Sequence, residues 1–189
     1  MNEILKAIKK RRCVRSYQPK KVPAEIIRAV IEAGNDAPSA MNSQPWRFVV
    51  VEDGELHRKL TAAAVPNAKK ILEHVRTSNP ERYQLIMKRY EELEDPIYYS
   101  APAIIFVIGK GRYADLSCPL ACGSMMLAAY SLGLGSCWVQ FGSFVTDNEE
   151  INRALGLKED EKIFGPVIIG YPETVPESPE KRLPEIKWI

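Results

Sequence analysis

The chain has few of the side chains on which nucleophilic and metal-dependent catalysis usually rest. Two histidines, His57 and His74, and four cysteines, Cys13, Cys118, Cys122 and Cys137, serve all 189 residues. Ser–His pairing therefore has little to work with, and no GxSxG elbow is present. There is no GxxxxGK[ST] loop, and Gly133-Leu134-Gly135 lacks the third glycine and the preceding strand of a dinucleotide fingerprint. No CxxC pair occurs. Cys118 and Cys122 are four apart on an expected helix, whereas a metal or iron–sulfur site wants tighter pairs and further ligands. Buried small apolar side chains are the plainer reading. Four cysteines in a chain of this length do not form a secreted disulfide framework.

Excess charge of one sign is also missing. The 26 basic and 24 acidic residues leave a formal charge of +2, so no nucleic-acid footprint is expected, although a local basic cluster can still hold one phosphate. The start, MNEILKAIKKRR, lacks the apolar core and small-residue cleavage site of a signal peptide. It reads instead as an amphipathic helix with Ile4, Leu5 and Ile8 turned inward. Residues 116–146 carry no charge and exceed the roughly 20 residues needed to span a bilayer. Gly133 to Ser136 breaks that stretch midway, and Ser, Gly and Cys dilute it, so a buried helix, a turn and a buried strand fit better. The expectation is a soluble, cytoplasmic protein with no membrane partner.

What is present suits one ordinary domain over residues 1–189, at 46% hydrophobic and 26% charged content. No repeat, low-complexity tract or linker divides it. Helices are expected over 2–10 and 23–33, with Pro23 at the first helical position and Gly34 as the C-terminal cap. RFVVVE (47–52) reads as a strand rich in β-branched residues. A helix follows over 55–64, with further helical segments across 67–93. AIIFVI (103–108) is a near-continuous apolar run, as in a central strand covered on both faces. A long helix over 118–132, a strand over 137–141, a capped helix over 147–155 and a strand over 162–169 complete an α+β domain, a mixed central sheet flanked by helices. After Gly170 the chain turns rich in proline and charge, an extended tail whose apolar end (Ile186, Trp188, Ile189) needs cover. A partner subunit would provide it.

Two blocks carry candidate chemistry. Arg11, Arg12 and Arg15 stand where the first helix gives way to an extended segment. Guanidinium forks match the oxygens of a phosphate, and a solvated basic helix end is the alternative. From Ala37 to Phe48, APSAMNSQPWRF sets Ser39, Asn42, Ser43 and Gln44 in a proline-bounded loop before a strand. Amide side chains both donate and accept, which suits a heteroaromatic ring edge, and an ordinary turn-rich connection is the alternative. Glu91-Glu92-Glu94-Asp95 reads as a solvated charge cluster. Tyr98-Tyr99 suits a substrate entrance or core packing equally.

RRCVRSY followed by APSAMNSQPWRF resembles the N-terminal signature of the nitroreductase family of FMN enzymes. APAIIFVIG, SLGLGSCWV, GPVIIGYP and the basic KRLP agree with that family in order along nearly the whole chain. The resemblance implies that Arg11, Arg12, Cys13 and Arg15 meet the FMN phosphate, ribityl chain and ring edge, with Lys181 and Arg182 adding phosphate contacts from the tail. It places Pro38, Ser39 and Asn42 against the flavin of the other subunit of a homodimer, Trp138, Val139 and Gln140 beside the ring, and Asn67 and Lys70 at its edge. Cys13 departs from the family's usual Ser, and a thiol is the poorer donor. Gly123-Ser124 departs from a Gln-Asn or Glu-Asn pair. The implied activity passes a hydride from NADH or NADPH through flavin N5 to nitroaromatics, quinones or similar electron-poor small molecules. Two alternatives are a specialised relative (reductive dehalogenation, flavin fragmentation or enone reduction) and a flavin-binding storage or sensing protein without turnover. Residues 66–96, where the family varies its substrate cover, carry that choice.

Overall fold

Helix α1 (Glu3–Lys10) opens the computed structural model, which describes residues 2–189. Asn2 caps it by accepting from the Leu5 N–H at 2.9 Å. Its apolar side chains do not turn inward: Ile4, Leu5 and Ile8 are 69%, 50% and 53% exposed. Periodicity marks an apolar face without saying which chain covers it. In α2 (Ala24–Asn35), Ile27 and Val30 are buried, and Pro23 stands just before the helix rather than within it. Gly34 is not the cap. It lies inside the helix, at a place where a Cβ would meet Met125 Cγ at 2.6 Å.

Strand β1 (Trp46–Val51) leads to α3 (Gly54–Ser78), capped by the Asp53 carboxylate. The expected break near Pro66 does not occur. Pro66 and Ala62 are both exposed, so the carbonyl left without a donor four residues earlier faces water. Pro80 begins α4 (Pro80–Glu92) at a position where a missing N–H costs nothing. Next come β2 (Ala103–Lys110), α5 (Ala114–Ser131), β3 (Gly135–Trp138) and α6 (Glu149–Ala154). α5 starts four residues before its expected start, and β3 stops before a 3-10 turn at Gln140–Ser143. The anticipated 162–169 strand is two, β4 (Glu161–Ile163) and β5 (Val167–Gly170). Both pair with β2, but Ile108 faces Ile163 while Ile105 faces Val167, a slip of one residue across Phe164-Gly165-Pro166. Pro166 has no N–H for the ladder, and the bulge absorbs it.

The sheet runs β1-β2-β5-β3, with β4 beside β2, and its strand pairings are antiparallel; parallel character enters through an isolated bridge between Cys13 and Ser136. β2 is covered on both faces. Ile104, Phe106 and Ile108 pack with Leu60 and Ala64 from α3, Ile151 from α6 and Leu155 at its C-terminal cap. Ala103, Ile105 and Val107 pack with Ile27, Val30, Ala121 and Met125 from α2 and α5. Strand alternation thus distributes one apolar run between two helical layers. Cys118 and Cys122 lie in the second layer, where burial pushes both thiols up to about 12. Among the described residues, no helix is long and apolar enough to cross a membrane.

Arg47 ties the far end of the sheet together. Its Nε and Nη2 donate to the two Glu161 carboxylate oxygens at 2.9 and 2.7 Å, and its Nη atoms also reach the Leu155 and Gly156 carbonyls. The Arg47 hydrogen bonds hold the Glu161 carboxyl down at about 2. This depressed carboxyl stabilises the fold above its ordinary range and loses that effect as pH falls toward about 2. Arg47→Ala should cost about 1–2 kcal/mol in a denaturant titration at neutral pH. The difference from wild type should shrink in acid; a constant difference would rule out the ion pair as its source.

After Glu173 the tail leaves the body of the chain. Its root is fixed by the Tyr17–Pro172 bridge and by Ser16, whose carbonyl accepts from the Glu173 N–H at 3.0 Å. Residues 173–189 are exposed, Trp188 and Ile189 included.

Candidate functional site

The arginine segment is seated on β3. Val14 donates to the Ser136 carbonyl at 3.0 Å, next to the Cys13–Ser136 bridge. Close approach is possible because residue 135 is glycine; a Cβ there would meet Val14 Cγ1 at 2.7 Å. Val14 is buried, and Arg15 beside it is exposed. Arg12 Nη1 donates to the carbonyls of Lys9 and Arg11, at 2.7 and 2.8 Å, which caps the end of α1. Arg11 Nη1 lies 3.7 Å from Cys13 Sγ. Among the described residues, no carboxylate forms an ion pair with Arg11, Arg12 or Arg15. A small cavity of about 180 Å³ lies between Arg11, Arg12, Tyr130 and Gly133–Ser136.

Arg15 has a partner that sequence patterning does not reveal. Its Cζ stands 5.8 Å from the centre of the Tyr99 ring, and Arg89 Cζ stands 5.1 Å from the same ring. Tyr99 and Ser100 adopt positive φ of 57° and 51°. The turn that holds them there is organised by Asp95, which is buried rather than solvated. Asp95 accepts from Thr61 Oγ1, from His57 Nε2 and from the N–H groups of Ile97, Tyr98 and Ser100, all within 3.2 Å. Burial alone would raise its pKa, but the bonds from His57 and the amides outweigh that and hold it down. His57, Thr61, Asp95 and Ser100 line a groove of about 690 Å³ between α3 and the 90–102 segment. Tyr98 belongs to the core and Tyr99 to the arginines, so the two adjacent tyrosines divide between the two uses.

β3 carries the next candidates onward from Ser136. Trp138 is partly exposed, and its Nε1 donates to the Phe164 carbonyl at 2.8 Å. Val139 is buried and paired with Pro166, and Gln140 is exposed at the start of the 3-10 turn. Asn67 Nδ2 donates to the Phe144 carbonyl at 2.9 Å, which docks α3 on that turn, and Lys70 is exposed one turn further along α3. β3 therefore joins Arg11, Arg12, Cys13 and Arg15 to Trp138, Val139 and Gln140.

The Pro38, Ser39 and Asn42 loop is elsewhere. Its Ala40 N–H donates to Ser117 Oγ at 3.3 Å, near the start of α5, while Arg11 and Arg12 share their cavity with Tyr130, near its end. At ~1.5 Å per helical residue these two places are roughly 20 Å apart. The loop is tightly wound: Met41, Asn42 and Gln44 have positive φ, Ser39 Oγ accepts from the Gln44 N–H, and Gln44 Nε2 donates to Asn42 Oδ1. Met41 is 87% exposed. Lys181 and Arg182 lie in the exposed tail, and no hydrogen bond or ion pair joins them to the arginines among the described residues.

Comparison with known proteins gives this arrangement a family. The model of the nitroreductase family matches residues 8–171. An NADH dehydrogenase of Thermus thermophilus is 30% identical over 185 residues, covering 86% of this chain and 83% of its own length. An iodotyrosine deiodinase of Thermotoga neapolitana is 31% identical over 167 residues, covering 87% and 86%. The crystal structure of a nitroreductase with bound FMN from Bacteroides fragilis superposes over 100% of both chains with a TM-score of 0.77 at 29% identity. This chain belongs to the nitroreductase family.

Proposed function

We propose that the protein is an FMN-dependent oxidoreductase of two subunits, taking electrons from NADH or NADPH and reducing an electron-poor small molecule. One observation carries the reading: three arginines with no carboxylate partner among the described residues lie within positions 11–15, on the segment seated against the edge strand β3. That donor set fits a phosphate. Arg11 and Arg12 would hold it, the thiol and amide of Cys13 would face the ribityl chain, and Arg15 would reach the pyrimidine edge of the ring. When bound, FMN supplies two-electron chemistry at N5, so no protein nucleophile is required. Arg15 provides fixed positive charge at that edge, and its stack on Tyr99 restricts where the charge can go. Trp138 offers ring area because its N–H is already bound, and Val139 and Gln140 continue the same wall. With the amide nitrogen of Asn67 committed to Phe144, its carbonyl oxygen remains for the ring edge, with Lys70 beside it.

The separation of roughly 20 Å along α5 supports a site shared between subunits. Pro38, Ser39 and Asn42 reach the flavin only from a second copy, and the tail brings Lys181 and Arg182 in the same way. Exposed Ile4, Leu5 and Ile8 on α1 and Leu116 and Leu120 on α5 are the apolar surface such a homodimer would cover. Leu120→Glu should halve the mass seen by light scattering and release flavin; an intact dimer would place the interface elsewhere. The exposed tail would then form part of the same single domain's subunit contact, in the cytoplasm.

The test is anaerobic. The purified protein should be yellow, bleach with NADH or NADPH, and recolour with a nitroaromatic or quinone. A colourless preparation that takes up no added FMN would overturn the reading. A second reading, reductive dehalogenation, is favoured by the Thermotoga relative. Release of iodide from 3-iodotyrosine, with no turnover of nitroaromatics, would select it.

A further inference from the structure

The arginine segment holds a second chemistry beside its place in flavin binding. Cys13 is bridged to Ser136, so Cys137 is its next neighbour along β3. With strands ~4.8 Å apart and a rise of ~3.3 Å per residue, their Cα atoms stand roughly 6 Å apart, inside the range a disulfide spans. Both cysteines pack in one apolar cluster, where the Cys137 thiol donates to the Trp138 carbonyl at 3.6 Å and Cys13 Sγ accepts from Arg11 at 3.7 Å. Cys13 is half-buried and Cys137 is 1% exposed, so a small reagent meets Cys13 first.

Charge reinforces that asymmetry. The neighbouring Cys137 thiol lowers the Cys13 pKa against the effect of burial, helped by Arg11 at 3.7 Å and by Arg15. The Cys13 sulfur beside it and burial raise Cys137. The thiolate therefore forms on the accessible sulfur, and the proton stays on the enclosed one.

We propose that Cys13 and Cys137 are a redox-active dithiol, which a hydroperoxide converts to a disulfide stapling the arginine segment to β3. Cys13 sulfur attacks the outer peroxide oxygen and the O–O bond breaks. An alcohol, or water from hydrogen peroxide, leaves with the Cys13 proton, and Cys13 is left as the sulfenic acid. Cys137 sulfur then attacks the Cys13 sulfur, the S–O bond breaks, and hydroxide leaves with the Cys137 proton as water. The two thiols give up two electrons and the peroxide takes them. Nothing in this sequence needs a flavin, so the pair goes beyond the proposed function.

Cys118 and Cys122 are the internal control, buried in the other layer with thiols raised by burial. The purified full chain, as isolated, is treated with hydrogen peroxide, denatured, alkylated and mapped by mass spectrometry. The expected result is loss of two of the four free thiols, with the Cys13 and Cys137 peptides joined by a reductant-sensitive bond. Cys137→Ser should leave Cys13 as a sulfenic acid trapped by a 1,3-diketone, and Cys13→Ser should leave Cys137 unoxidised at the same dose. Full alkylation of both residues in the wild type, or a crosslink through Cys118 or Cys122, overturns the proposal. Colourless protein should crosslink at least as readily as yellow protein, in which the flavin would lie against Cys13, so a failure of the flavin reading would not be mistaken for a failure of this one.

Discussion

Asp95→Ala is expected to lower stability by about 3–5 kcal/mol, a loss of roughly 10 °C in Tm for a chain of this size. The side chain is 8% exposed and accepts five hydrogen bonds, three of them from backbone N–H groups in a single turn. Removing it leaves the Ile97 and Tyr98 amides buried without an acceptor, and each such donor costs about 1–3 kcal/mol. Two residues of the turn, Tyr99 and Ser100, are held at positive φ, a conformation that side chains disfavour without outside support. Asp95→Asn separates the contributions: one oxygen still accepts, and the other position becomes a donor facing donors. Its loss should be about half that of alanine.

The pH dependence has a definite sign. The folded Asp95 pKa lies below its ordinary value, so its contribution is complete above the unfolded carboxyl's range and disappears as pH falls through the folded pKa. The stability gap between wild type and Asp95→Asn should therefore close in acid. A loss under about 1 kcal/mol in Asp95→Ala would show that the turn stands without its acceptor. The same turn carries Tyr99 to its place between Arg15 and Arg89, so a loosened turn should also weaken flavin retention.

Asp95 shows where reading the sequence stops. Beside Glu91, Glu92 and Glu94 it looks like one more solvated acid, and nothing local separates it from them. Its role depends on His57 and Thr61, which reach it from α3, more than thirty positions away. Cys137 was hidden in the same way, since its partner Cys13 lies at the other end of the chain. By contrast β2 was legible because a strand buried on both faces must be apolar throughout, whatever its neighbours are. α5 was legible in extent but not at its start, since it begins four residues before Cys118, at Ala114. The paired strands β4 and β5 read as one because a one-residue bulge leaves the apolar pattern nearly unbroken. The two candidate blocks were legible as residue types. Their separation along α5 was not, since it depends on which end of a helix each block meets.

Arg11→Ala should weaken FMN binding about 10- to 100-fold, the equivalent of one charge-assisted contact to phosphate at ~1.5–3 kcal/mol. The three arginines are not equivalent. Arg12 already donates to two carbonyls that cap α1, and Arg15 is stacked on Tyr99. Arg11 has a soft sulfur as its hydrogen-bond partner, at 3.7 Å, and so has most to gain from a phosphate oxygen. Its removal should therefore cost more affinity than Arg12→Ala costs, while Arg12→Ala should cost more stability. Arg11→Lys should recover part of the loss, because a point charge survives where the two-pronged fork does not. Exposed Arg153, on α6, is the control, and Arg153→Ala should bind as wild type does. Fluorescence titration of the apoprotein measures each affinity, and the light-scattering mass of the same samples separates loss of contact from loss of the second subunit. Wild-type affinity in a dimeric Arg11→Ala protein would remove Arg11 from the phosphate and shift that role to Arg12 and the tail.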